Sequence, residues 1–132
     1  MPVRSLHSCV LKWPEPGEVL SALQDWIRRR AVEHPELLGA ACIGSHARGD
    51  AGPGSDLDLV LVVSDAPSDR AQRHAPWPIE QLPVPTDLWV LTALEWRVLP
   101  RNSRFGRVLR QEARWLYCAP GWNPGPHPDR ET

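Results

Sequence analysis

Two aspartates one residue apart, Asp56 and Asp58, open the most apolar run of the chain, Leu57 to Val63. Alternate residues of a strand point to one face, so both carboxylates project together, roughly 7 Å apart at the backbone. Two ionised carboxylates at one end of an apolar strand repel each other. A divalent cation resolves that repulsion, and hard oxygen ligands suit magnesium. Asp87 sits within a second apolar run, Val84 to Thr92. If the two strands are neighbours, three carboxylates meet at one point, where two metal ions could hold a triphosphate and activate an attacking oxygen. Upstream, Gly44 lets backbone approach a ligand closely, and Ser45, opening a short helix, offers a hydroxyl and amides to phosphate oxygens. His46 and Arg48 follow on the same turn and add charge or hydrogen bonds. Taken singly these features are ordinary: a solvated strand end, a turn, a surface acid, an exposed loop histidine. Their order on a strand–turn–strand frame is what points to chemistry.

The elements that must position them can be read from periodicity. Residues 17–34 form an amphipathic helix, with Val19, Leu20, Leu23, Trp26, Ile27 and Ala31 on one stripe and His34-Pro35 ending it. Leu37 to Ile43 reads as a buried strand, Ser45–Arg48 as a short helix and Gly49 to Gly54 as a turn. Asp56 to Val63, apolar on both faces beyond Asp58, reads as a central strand. A proline-broken loop over 64–83 carries one helical turn near Arg70–His74. Val84 to Thr92 follows as a strand with Asp87 in its middle. Thr92 and Glu95 have the spacing of a capping box for a helix over Ala93–Leu99. A second helix covers Ser103–Glu112, and Trp115–Cys118 is a last edge strand. Residues 1–14 alternate without a firm type. The Pro/Gly-rich stretch over 119–132 reads as a tail without core potential, mobile or docked on a partner, which leaves one domain over 1–118.

Composition narrows the classes. The chain has 132 residues, one domain's worth, with 42% hydrophobic residues and seven tryptophans that fill the core or cover faces between elements. Fifteen basic against sixteen acidic residues give a net charge of -1 and no global field for nucleic acid. Fourteen of the fifteen basic residues are arginine, clustered at Arg28–Arg30 and over Arg101, Arg104, Arg107, Arg110 and Arg114. They form a solvated helix face or a local phosphate patch. Three cysteines, without a C-x-x-C spacing, fit neither a disulfide framework nor a structural zinc site, and a reducing cytoplasm is expected. No stretch approaches the roughly 20 apolar residues that span a membrane.

Gly44-Ser45, ten residues, then Asp56-x-Asp58 resembles the GS-x10-D-x-D signature of the polymerase β-like nucleotidyltransferase superfamily. The fuller string, G-S-x-A-R-G-D followed by S-D-x-D-L, is similar to the minimal nucleotidyltransferases, small proteins paired as antitoxins with helical HEPN-type toxins. Pro85 to Val90 lies where that family places its third carboxylate. The resemblance covers about residues 17–118. It implies an α/β (α+β) fold, a mixed β-sheet flanked by helices and carrying all three acids. It further implies that Asp56, Asp58 and Asp87 are catalytic and bind Mg2+, with two ions accommodated. Gly44, Ser45, Arg48 and Ser55 would contact the nucleotide, and Asp87 would orient or deprotonate the acceptor hydroxyl. The expected reaction moves a nucleoside monophosphate, AMP from ATP or from another NTP, to a hydroxyl and releases pyrophosphate.

Three functions compete on this reading. The first is modification of a protein partner, as an antitoxin adenylylating its HEPN-type toxin. The second is modification of a small molecule, like the aminoglycoside nucleotidyltransferases. The third is a non-catalytic module that neutralises its partner by binding. Few residues remain after the core elements to build an aminoglycoside pocket, so the acceptor is expected on another chain, a toxin or a second copy. Nucleic-acid polymerisation is disfavoured by the balanced charge. The HEPN signature itself is absent, Tyr117 being the one tyrosine.

Overall fold

The computed structural model describes residues 13–100 and 102–125. The expectations for most of residues 1–14, for Arg101 and for the end of the Pro/Gly-rich stretch lie outside the described residues. Helix α1 (Pro16–Glu33) starts with proline in its first turn and a capping box between Glu15 and Glu18. It leads to β1 (Leu37–Ile43), the four-residue α2 (Ser45–Arg48) and β2 (Leu57–Val63). A short α3 (Arg70–His74) and a 3-10 turn over Ile79–Gln81 precede β3 (Thr86–Thr92). Helices α4 (Ala93–Val98) and α5 (Arg104–Glu112) follow, then β4 (Arg114–Cys118).

The four strands form one mixed sheet in the order β3-β2-β1-β4. β1 runs antiparallel to both β2 and β4, while β2 and β3 are parallel. β2, inside the sheet and covered on both faces, buries every residue except Asp58. That explains its unbroken apolar run. The parallel β2–β3 ladder sets Asp58 directly opposite Asp87. Asp87 is the second residue of β3 and not its middle. Pro85 lacks an N–H and stands outside the strand, although its carbonyl accepts from Leu57 N at 2.9 Å.

Period-2 alternation divides the core between the two faces. Leu57, Leu59, Leu61 and Val63 of β2 meet Val19, Leu23, Trp26 and Ile27 of α1, together with Leu88 and Val90 of β3. On the other face Val60 and Val62 meet Trp96 of α4 and Leu109 of α5, with Trp89, Leu91 and Phe105 packed beside them. Asp58 and Asp87 belong by alternation to this second face, the one that α4 and α5 cover.

The second face also holds part of the Pro/Gly-rich stretch. Trp96, Trp115 and Trp122 stand edge to face in a row, with both ring centroid separations 5.5 Å. Trp96 Nε1 donates to Pro124 O at 2.9 Å, and Ala119 N donates to Leu38 O at 2.8 Å. Trp122 thus anchors this stretch, whose composition alone reads as lacking core potential. Gly39 makes room for the row: a Cβ there would stand 2.5 Å from a Trp122 ring atom and 2.8 Å from one of Trp115. Gly39→Ala is therefore expected to lower stability by about 1–3 kcal/mol in urea unfolding and to shift tryptophan emission to the red as Trp122 lifts off. An unchanged spectrum with unchanged stability would contradict the packing described.

Candidate active site

The acids lie where β1 ends and β2 and β3 begin. Ile43, last in β1, pairs with Asp58, which in turn pairs with Asp87. Gly44 and Ser45 leave β1 at this same end. Gly44 takes φ +78° and ψ -153°, a conformation open in practice to glycine alone. A Cβ on it would come within 2.6 Å of Asp58 Oδ2. The turn is thus pressed against the carboxylate, and a side chain at position 44 would displace one or the other. The return loop is held by Gly49 and Gly54, both at φ +86°, and by a pair of bonds between Gly52 and Ser55.

A cleft of about 550 Å³ gathers these groups. Gly44, Ser45 and Arg48 line it together with Asp56, Asp58 and Asp87. Six of the seven site residues expected from sequence therefore meet in one place. The seventh, Ser55, does not line the cleft; its hydroxyl accepts from Gly52 N at 3.0 Å and ties the loop. Arg48 is engaged: Nε donates to Asp50 Oδ2 at 3.3 Å and Nη1 to Glu112 Oε1 at 3.1 Å. His46 is not the exposed loop residue that its neighbours suggest. It is 2% exposed, and neither ring nitrogen has a hydrogen-bond partner among the described residues.

The electrostatics of the cleft centre on Asp58. Burial pushes its carboxyl above the usual carboxylate range; the nearby charges of Asp87 and then Asp56 push it further, and His46 partly offsets them. Such under-compensated negative charge on hard oxygen ligands fits Mg2+. Among the described residues, however, no three such side chains close round a point as a ready-made metal cage. A bound ion would take its remaining ligands from substrate phosphates and water, as magnesium commonly does beside one or two carboxylates.

The cleft wall comes from a helix that no motif marks. Arg104, Val108 and Glu112 recur every fourth residue on α5 and so share one stripe facing the acids, and Trp89 of β3 completes the lining. The signal was present only as the arginine cluster over 101–114. Nothing in the sequence says that α5 crosses this face of the sheet.

The nucleotidyltransferase domain model matches residues 25–110, and the chain belongs to that family. Solved structures with this fold include a Sulfolobus solfataricus protein assigned as a nucleotidyltransferase. It is 20% identical at a TM-score of 0.60, over 79% of this chain and 84% of that one. A toxin–antitoxin complex with AMP-PNP is 17% identical at 0.55, over 74% of both chains. A mutant of the toxin–antitoxin pair MntA-HpeT is 14% identical at 0.53, also over 74% of both. No functionally curated protein matches the chain. Among the described residues, no helix is long and apolar enough to cross a membrane.

Two outcomes follow from the geometry. The folded state holds the Asp58 proton more tightly than an unfolded chain does. Folding stability from this group therefore falls as pH rises from the ordinary carboxylate range through the raised value, and it is lowest at neutral pH. Asp58→Asn is expected to melt above the wild type at neutral pH without divalent ions. The gap should narrow on acidification, and added Mg2+ should raise the wild-type Tm and not the variant's. A variant that melts lower at neutral pH would contradict the repulsion. Gly44→Ala is expected to cost about 1–3 kcal/mol of stability and to weaken MgATP binding at least about tenfold in titration calorimetry.

Proposed function

We propose that this chain transfers a nucleoside monophosphate, AMP from ATP, to a hydroxyl of a protein partner, acting as the antitoxin of a toxin–antitoxin pair. The observation that carries the reading is the gathering of Asp56, Asp58 and Asp87 in one cleft against Gly44-Ser45. Family membership supports nucleotidyl transfer. The two toxin–antitoxin neighbours, one of them holding AMP-PNP, support the adenine nucleotide and the toxin partner. In the proposed step the acceptor oxygen attacks the α-phosphorus, and the bond to the pyrophosphate oxygen breaks. The hydroxyl proton passes to Asp87 and then to solvent. Gly44 and Ser45 hold the β- and γ-phosphates. Asp56 and Asp58 would hold Mg2+, which when bound neutralises charge on the phosphates. The protein's contribution is positioning and charge compensation. The acceptor would be a HEPN-type toxin or a second copy of this chain, and the site of action the cytoplasm.

The test uses ATP labelled at the α-phosphate, Mg2+ and the protein encoded beside this chain. The expected result is label on that partner with release of pyrophosphate, and a loss of at least about a hundredfold in rate with Asp56→Ala or Asp58→Ala. A partner that binds tightly while label stays on ATP would favour neutralisation by binding alone. Label moving to an aminoglycoside and not to the partner would favour the small-molecule reading.

A further inference from the structure

We infer that Arg104 and Trp89 form the acceptor side of the cleft and that the acceptor they select is an acidic peptide segment carrying the hydroxyl. This rests on the nucleotidyl-transfer reading above and adds the class of acceptor.

Helix α5 spans the cleft from end to end. Phe105, in its first turn, lies against Trp89 of β3, ring centroids 5.9 Å apart. Glu112, in its last turn, meets Arg48 beside β1 at 3.1 Å. Arg104 and Glu112 stand eight positions apart along the helix, a rise of about 12 Å. Arg104 thus stands at the β3 end, away from Gly44-Ser45. With the β- and γ-phosphates at Gly44-Ser45, pyrophosphate leaves toward β1. An in-line attack must then arrive from the opposite end, past Asp87. The groups standing there are Trp89 and Arg104.

Charge distinguishes the two arginines of the cleft. Arg48 is committed to Asp50 and Glu112. Arg107 donates to Asn102 O, and Arg110 stacks over Trp96 at 4.9 Å. Arg104 is exposed and has no hydrogen bond or ion pair among the described residues. Among the described residues it is therefore the uncommitted cation of the cleft, facing an acceptor that arrives along β3. A planar guanidinium pairs with a carboxylate through two parallel hydrogen bonds. Half-buried Trp89 offers a rigid aromatic surface for the peptide that carries it. One free arginine suits a single carboxylate; a nucleic-acid backbone is gripped by many cations, and the chain's net charge is -1.

The test compares two synthetic peptides, identical except that the hydroxyl residue is flanked by aspartate and glutamate or by lysine. Wild type, Arg104→Lys and Arg104→Glu are assayed for transfer from α-labelled MgATP and for MgATP affinity. The wild type is expected to prefer the acidic peptide by at least about tenfold in kcat/KM. Arg104→Glu should erase or reverse that preference through KM, and Arg104→Lys, which keeps the charge but not the paired hydrogen bonds, should keep only part of it. MgATP affinity should be held by all three proteins. Equal use of both peptides by the wild type would overturn the inference. So would a loss of MgATP affinity in Arg104→Glu with the peptide preference intact, or an oligonucleotide accepting label ahead of both peptides. Transfer without preference overturns this inference and leaves nucleotidyl transfer standing; no pyrophosphate release by the wild type with any acceptor contradicts nucleotidyl transfer itself.

Discussion

The repulsion among three carboxylates on one face of a sheet is the constraint to which the rest of the molecule answers. Asp58 is half-buried at the start of the central strand, with Asp87 opposite it in register and Asp56 nearby. The sheet that holds them there must be rigid. β2 supplies the rigidity by burying its remaining side chains on both faces against α1 on one side and α4 and α5 on the other. The parallel β2–β3 pairing is the single topological choice that sets two of the acids side by side. A slip of one residue would turn Asp87 to the α1 face.

Complementary charge and close backbone approach complete the site. Gly44 brings its turn against the Asp58 carboxylate, which no other residue could do at that φ and that distance. Arg48 joins α2 to α5 through Glu112 and so closes the β1 end of the cleft. The tryptophan row on the same face, extended by Trp122, keeps α4 and β4 together behind it. Stability and site therefore share one layer of the structure.

Much of this was legible in the sequence because it is local. The period of two over Asp56 to Val63 forecast that Asp56 and Asp58 would project together, and Thr92 with Glu95 marked the start of α4 through a capping box. The mixed sheet flanked by helices was implied by the motif resemblance. What stayed hidden depends on the path of the chain between elements. The cleft wall of Arg104, Val108 and Glu112 exists only because α5 crosses the sheet. The burial of His46 follows from the inward side of a turn too short to show a period. Ser55 carries a motif position yet spends its hydroxyl on Gly52. Nor does the strand pattern over Leu37 to Ile43 show that Trp115 and Trp122 lie over Gly39.

The central claim, that these acids and the Gly44-Ser45 turn together hold a magnesium nucleotide, is tested most directly by a crystal structure with Mg2+ and a non-hydrolysable ATP analogue. The account predicts an ion about 2.1 Å from oxygens of Asp56 and Asp58, with the terminal phosphates on Ser45 and the α-phosphate facing Asp87. A nucleotide bound elsewhere on the chain, or bound in the cleft with no ion on Asp58, would contradict it.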